Sequence, residues 1–256
     1  MIESGRSVDL NSDMGEGFGA YRMGDDEAIL QIVSSANIAC GFHGGDPEIM
    51  AKTYTIAKTL GVTPGAHPGY PDLWGFGRRD IPFSLGEIER LVAYQIGAAV
   101  GVSHYAGHPI KYVKAHGALG NQTYSSADIA TAVCRAVKAV DPGLVMLSIA
   151  NGHQDRIARE MGLVSKSEIF ADRGYDETGA LISRKLPGAL LHDPDEVAQR
   201  ILRMLENGGI ETASGNYVPT EIDSICVHSD TPGAIEMAGH VRALLEKSGV
   251  TIKAFA

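Results

Sequence analysis

The sequence has few cysteines, no long apolar run and no recognisable targeting segment. Its three cysteines, Cys40, Cys134 and Cys226, are an odd number at wide spacings. That pattern disfavours a disulfide framework and fits a reducing compartment. The N-terminal residues lack the apolar core of a signal peptide, and no apolar stretch approaches the roughly 18 residues that a membrane span needs. We therefore expect a cytoplasmic protein.

Basic residues are also scarce. The formal net charge is −9, and no cluster of lysine and arginine offsets it. A nucleic-acid-binding protein is expected to present a basic face, and an anionic membrane surface would repel this chain. We expect neither nucleic acid nor a membrane as a partner.

A repeated alternation of strands and helices accounts for most of the chain. Short apolar runs end in Gly, His, Asp or Asn and are followed by helical segments that carry N-terminal capping signals. The predicted strands are 8–11, 36–40, 62–66, 110–114, 144–149, 167–170 and 224–227.

Such alternation predicts parallel βαβ units. Seven units in 256 residues favour one α/β barrel domain spanning residues 1–256, and no linker interrupts it. An open, doubly wound sheet is the alternative. The longest irregular stretch, residues 68–82, is rich in Gly, Pro and aromatic residues and is typical of a functional loop.

Polar residues follow six of these strands at their C-terminal ends, where active sites of parallel barrels lie. Four of the nine histidines occupy such positions, accompanied by acidic residues. These residues are His43, His67, His116, His228, Asp13, Asp172 and Asp230. One histidine at a strand end is usually structural, but so many together predict a shared site.

Histidines and carboxylates suit general acid/base catalysis or a divalent metal. We expect Asp13, Glu16 and the four histidines to be catalytic. A metal, if one is bound, would be held by Asp13, His43 and His67, although no spacing marks dedicated ligands.

Lys114 and Arg173 are the predicted anion-binding residues because each follows an apolar run and should point near the mouth of the barrel. Their alternative role is a structural ion pair with Asp13 or Asp172. Asn11, Asp172 and Asp230 complete the predicted substrate- or phosphate-binding set.

Six ordered segments resemble the successive signatures of the LamB/YcsF family, from about residue 8 to the C-terminus. They are residues 9–16, 40–46, 67–72, 113–119, 171–173 and 225–232. The family usually has other residues at Gly44, Ala115, Gly120 and Ser229. These four departures lie beside the polar residues and remove none of them, although Gly120 removes a ring that would line a pocket.

The resemblance implies a TIM-like (β/α)7 barrel related to glycoside hydrolases and deacetylases. It also implies the A subunit of an ATP-hydrolysing 5-oxoprolinase, which opens 5-oxo-L-proline to L-glutamate while ATP, with Mg²⁺ as its counter-ion, becomes ADP and phosphate. Two partners, the B and C subunits of 5-oxoprolinase, are implied as well.

Two other functions stay open at this point. One is a divalent-metal-dependent deacetylase of N-acetylated sugars, and the other is a non-catalytic protein that binds the lactam and presents it to its partners.

Overall fold

A closed barrel of parallel strands forms the centre of the molecule. The computed structural model describes residues 5–228 and 233–256. In this part of the chain the first six barrel strands are β1 (Ser7–Met14), β2 (Ser35–Ala39), β3 (Thr63–His67), β4 (Tyr112–Lys114), β5 (Val145–Ile149) and β6 (Ser165–Phe170). A separate antiparallel pair follows, β7 (Gly209–Glu211) and β8 (Tyr217–Pro219). The next barrel strand is β9 (Ser224–Cys226). Strand β9 pairs with both β6 and β1, which closes the barrel. A short strand, β10 (Thr251–Ile252), pairs with the beginning of β1.

Helices lie between the strands and pack on the barrel's outer surface. They are α1 (Asp26–Ile29), α2 (Pro47–Leu60), α3 (Leu85–Tyr105), α4 (Gly117–Ser125), α5 (Ala127–Val140), α6 (His153–Glu160), α7 (Pro194–Asn207) and α8 (Ala234–Lys247). Helix α2 begins as its sequence indicates, since Asp46 accepts hydrogen bonds from the first-turn amides and Pro47 occupies the first turn. Ser84 and Glu87 form a capping box before α3.

The predicted (β/α)7 barrel is confirmed, and the open doubly wound sheet is wrong. In an open sheet the two edge strands do not pair with each other. Here β1 and β9 pair through Asp9–Ser224, Leu10–Ile225 and Asn11–Cys226. The sequence pattern did not reveal α1, α4, α6, β10 or the β7–β8 pair. These elements are short, and short segments carry too few residues for a clear periodicity.

The inside of the barrel is polar. Side chains alternate between the two faces of a strand, so Asp9, Asn11 and Asp13 share one face of β1. Asp9 accepts hydrogen bonds from Ser34, Ser35 and Ser224. Burial raises the pKa of Asp9 to about 6, although these hydroxyls oppose the rise.

Apolar residues fill the space between the strands and the helices. The polar side chains inside the barrel are therefore not needed for the apolar core and can line a functional site. Cys40, Cys134 and Cys226 are buried free thiols. No helix in the described ranges is both long and apolar enough to cross a membrane.

Candidate active site

A cavity of about 490 Å³ opens at the C-terminal ends of the barrel strands. One part of its wall carries acid/base groups: Asp13, His67, Lys114, His116, Glu168 and His228. Another part is basic and consists of Arg78, Arg173, Arg184 and Lys185. Side chains from most of the barrel strands therefore meet in one space, as the pattern of polar strand ends predicts.

Lys114 lies at the centre of the acid/base wall, at the end of β4. Its Nζ atom is 3.0 Å from Asp13 Oδ1 and 2.9 Å from Glu168 Oε2. It also contacts Asn11 Oδ1 at 3.3 Å and Cys226 Sγ at 3.1 Å. Burial alone would lower the pKa of Lys114, but Asp13 in particular raises it well above its usual range.

The two carboxylates beside Lys114 have opposite environments. Burial alone would raise the pKa of Asp13, yet the charges of His67 and Lys114 hold it well below its ordinary value. Burial raises the pKa of Glu168 in spite of the nearby ammonium group. Glu168 Oε1 is also buried without a hydrogen-bond partner. Asp13 is therefore the ionised member and Glu168 the better proton donor.

Amide and phenol groups fix the position of Asp13. Asn37 donates to Asp13 Oδ1 at 2.8 Å and to Asn11 Oδ1 at 2.7 Å. Tyr112 donates to Asn37 Oδ1 at 2.6 Å, so the amide cannot rotate without losing a bond. Such support holds the Asp13 carboxylate in a fixed position.

Three histidines and Glu16 form a buried cluster beside Asp13. His67 Nε2 lies 3.0 Å from His116 Nδ1 and 3.4 Å from Asp13 Oδ1. Glu16 Oε1 is 3.1 Å from His43 Nε2 and 3.3 Å from His116 Nδ1. Burial lowers the pKa values of His43 and His116 well below the ordinary value, so both rings are neutral at physiological pH.

The loop of residues 68–82 covers this histidine cluster. His116 Nε2 donates to the carbonyl of Phe76 at 2.8 Å, and the Phe76 ring meets His43 and His116 edge-on. Asp72 is buried and pairs with Arg79, which holds the loop closed on itself. Phe76 thus shields the site, whereas Trp74 is 98% exposed and does not contribute to it.

Close packing of this loop against the histidines explains why residue 77 is a glycine. Gly77 has φ of +63°, and a β-carbon there would lie 2.7 Å from His43 Cβ and 2.8 Å from His116 Cδ2. We expect Gly77→Ala to lower the free energy of unfolding by about 2 kcal/mol, since it adds left-handed backbone strain to a steric clash. Denaturant unfolding measures this change.

Gly97→Ala is the matched control. Gly97 lies in α3, is exposed and has no atom near the added methyl group. Removing a helical glycine should stabilise the protein by about 0.5–1 kcal/mol. A Gly77→Ala protein as stable as wild type would contradict the packing described for the loop.

His228 lies on the far side of the cavity and pairs with Asp172. His228 Nδ1 is 2.8 Å from both carboxylate oxygens, and His228 Nε2 is 3.5 Å from Arg184 Nη2. Burial would raise the pKa of Asp172, but the charge of His228 holds it below its usual value. Asp230, the remaining predicted acid, lies outside the described residues.

Arg173 lines the cavity and also donates hydrogen bonds to two backbone carbonyls. Its Nε donates to Ala189 O at 3.0 Å and its Nη2 to Ile182 O at 2.6 Å. Lys114 likewise forms the ion pair with Asp13 that was considered as its alternative role. Both side chains therefore line the cavity while making structural contacts.

The potential metal ligands form two groups, and neither is the predicted set of Asp13, His43 and His67. His43 and His67 group with Glu16 and His116, whereas Asp13 groups with Cys226 and His228. The ammonium group of Lys114 already contacts both Asp13 and Cys226. A cation is thus better accommodated in the histidine group.

Sequence reasoning missed Glu168, Asn37, Arg78 and Arg184. Glu168 and Asn37 lie inside strands, where no glycine or histidine marks a site, but their alternation with apolar neighbours was a usable signal. Arg78 and Arg184 lie in loops, and only the tertiary structure brings them to the cavity. Cys226 is a further buried contact of Lys114.

Comparison with known proteins gives consistent matches over nearly the whole chain. The profile of the LamB/YcsF family matches residues 8–256. The 5-oxoprolinase A subunit of Gluconobacter oxydans is 57% identical over 249 residues, covering 97% of this chain and 98% of that protein. The protein of the same name from Azorhizobium caulinodans is 58% identical over 250 residues, covering 98% and 99% respectively.

A solved structure agrees with these matches. The crystal structure of a "Lactam Utilization Protein" from Thermus thermophilus superposes with a TM-score of 0.92 at 43% identity, covering 97% of this chain and 100% of that one.

Proposed function

Because the chain belongs to the LamB/YcsF family, we propose that it is the A subunit of an ATP-hydrolysing 5-oxoprolinase. The reaction opens 5-oxo-L-proline to L-glutamate while ATP, bound with Mg²⁺, is converted to ADP and phosphate. The B and C subunits complete the enzyme. The names of the relatives, which share more than half of their residues with this chain, support the assignment.

The observation that carries the proposal is the division of one cavity into two kinds of wall. Acid/base groups around Lys114 face a basic wall of four side chains. A lactam bearing a carboxylate, next to a transferring phosphoryl group, needs both: proton-transfer groups at the ring and cations for the anionic groups. Arginine forks match both carboxylate and phosphate geometry.

The chemistry follows from the stability of an amide. A five-membered lactam reacts slowly with water, so the γ-phosphoryl group of ATP is first transferred to the lactam oxygen, which activates the ring carbon. Water then adds to that carbon, the ring C–N bond breaks and the nitrogen takes up a proton. A second water molecule releases phosphate from the resulting acyl phosphate and leaves L-glutamate.

The two carboxylates beside Lys114 suit the proton transfers. Asp13, held ionised, accepts a proton from the attacking water, and Glu168, whose pKa burial raises, returns a proton to the ring nitrogen. The separation of their pKa values is what such a pair requires. Arg78 and Arg184 hold the phosphoryl group, and Phe76 limits the entry of bulk water.

Reconstitution tests the proposal. We expect the chain, mixed with the B and C subunits, 5-oxo-L-proline and Mg·ATP, to release glutamate and phosphate in equal amounts. Leaving out this chain should abolish glutamate release. Undiminished coupled turnover by B and C alone would refute the assignment.

The histidine cluster favours a second candidate, a divalent-metal-dependent deacetylase of N-acetylated sugars, because Glu16, His43, His67 and His116 group as potential metal ligands. That enzyme would release acetate from an N-acetyl sugar without ATP or partners and would lose activity in chelator. A non-catalytic lactam-binding protein would instead bind 5-oxo-L-proline alone, and variants at the strand ends would lose affinity with no separate loss of turnover.

A further inference from the structure

The two hydrogen bonds at the outer edges of His67 and His116 determine where their ring protons lie. His67 Nδ1 donates to the carbonyl of Lys114 at 2.8 Å, and His116 Nε2 donates to the carbonyl of Phe76 at 2.8 Å. A backbone carbonyl can only accept, so each of these ring nitrogens carries a proton. The other two ring nitrogens, His67 Nε2 and His116 Nδ1, are therefore the ones left to bind a further partner.

Those two ring nitrogens face each other. The atoms His67 Nε2 and His116 Nδ1 are 3.0 Å apart, with the ring planes at 89°. Glu16 Oε1 lies 3.3 Å from His116 Nδ1, and Asp13 Oδ1 lies 3.4 Å from His67 Nε2. His67 Nε2, His116 Nδ1 and Glu16 Oε1 thus converge on one buried place and lie close enough together to share a bound cation.

We infer that His67 Nε2, His116 Nδ1 and Glu16 Oε1 bind a divalent transition-metal ion of the zinc type. Zinc bonds nitrogen and carboxylate oxygen at roughly 2.0–2.2 Å, so neighbouring ligand atoms in a tetrahedral site are roughly 3.3 Å apart. The separations of 3.0 Å and 3.3 Å match that spacing. Metal-bound histidines also characteristically donate their second N–H to a carbonyl or carboxylate, as both rings do here.

His43 supports the site without binding the ion. Its ring is stacked on that of His116, with centroids 3.6 Å apart and planes 2° apart. A metal in the plane of the His116 ring therefore lies out of the His43 plane, where an imidazole has no lone pair. His43 Nε2 instead donates to Glu16 Oε1 at 3.1 Å and orients that carboxylate.

The remaining coordination position of the ion faces the cavity. His67 and His116 line the cavity, as does Asp13 beside them. Zinc sites that keep a position open to a cavity bind water or a substrate oxygen there. The site differs from the predicted set of Asp13, His43 and His67 in two of its three ligands, and it rests on geometry that is independent of the proposed lactam reaction.

Metal titration of the full-length protein tests this inference. We expect the protein, after treatment with chelator and removal of the chelator, to take up one equivalent of Zn²⁺ per chain, with a rise in its melting temperature. Co²⁺ in the same site should give the visible absorption bands of a low-coordinate ion. Glu16→Gln and His116→Ala should each weaken Zn²⁺ binding by roughly a hundredfold or more.

His104→Ala is the matched control, because His104 is an exposed histidine in the last turn of α3. It should bind Zn²⁺ as wild type does. Circular dichroism of the metal-free variants establishes whether they fold. If His116→Ala does not fold, Glu16→Gln, which keeps the side-chain shape, still tests the site. Failure of the wild type to bind Zn²⁺ or Co²⁺, or equal binding by wild type and the folded variants, overturns the inference.

Discussion

Asp13→Asn is expected to lower turnover of 5-oxo-L-proline by the reconstituted enzyme roughly a thousandfold, which is the usual worth of a positioned general base. The carboxylate lines the cavity and is held ionised by His67 and Lys114 against the effect of burial. An asparagine occupies the same space but cannot accept a proton. The loss should therefore fall on kcat more than on KM.

The fold should survive this change. Lys114 keeps Glu168 as its partner at 2.9 Å, and the asparagine can still accept the hydrogen bond from Asn37. Near-wild-type circular dichroism and association with the B and C subunits would establish that only chemistry was lost. The exposed Asp128, in the first turn of α5, gives the control Asp128→Asn. Normal turnover in Asp13→Asn would remove this carboxylate from the mechanism.

Lys114→Met is expected to destabilise the protein by about 3–5 kcal/mol at neutral pH, the usual cost of removing one partner from a buried ion pair. Methionine keeps the unbranched shape of lysine up to the ε position but leaves Asp13 and Glu168 facing each other without their shared ammonium group. Denaturant unfolding at several pH values measures the effect.

The pH dependence of that loss has a definite sign. Without Lys114 burial raises the pKa of Asp13 and raises that of Glu168 further, so the folded variant binds more protons than its unfolded chain. Stability is then greatest in acid and falls as pH rises through the raised pKa values. We therefore expect the deficit of Lys114→Met against wild type to be smaller at pH about 5 than at pH about 8.

Lys111→Met is the matched control for this prediction. Lys111 is exposed and precedes the same strand by one residue. Its replacement should change the free energy of unfolding by no more than about 0.5 kcal/mol. A Lys114→Met protein that unfolds like Lys111→Met would show that the buried ion pair contributes nothing to the fold.

The strand ends illustrate how much the sequence alone carries. Alternating apolar runs and capping signals predicted every barrel strand to within a few residues. Since parallel strands all point the same way in a barrel, His43, His67, His116 and His228 had to lie at the same rim. Local chain chemistry determines such features because strand direction and side-chain alternation are properties of short segments.

Pairing within that rim was decided by tertiary structure. The sequence suggested Asp13, His43 and His67 as a possible set of metal ligands. In the structure Asp13 forms an ion pair with Lys114. His43 and His67 group instead with His116 and Glu16. Arg184 could be assigned to the cavity only once the loop after β6 was in place. Distances between side chains on different strands depend on barrel closure, register and loop packing, and no single segment of the sequence specifies those.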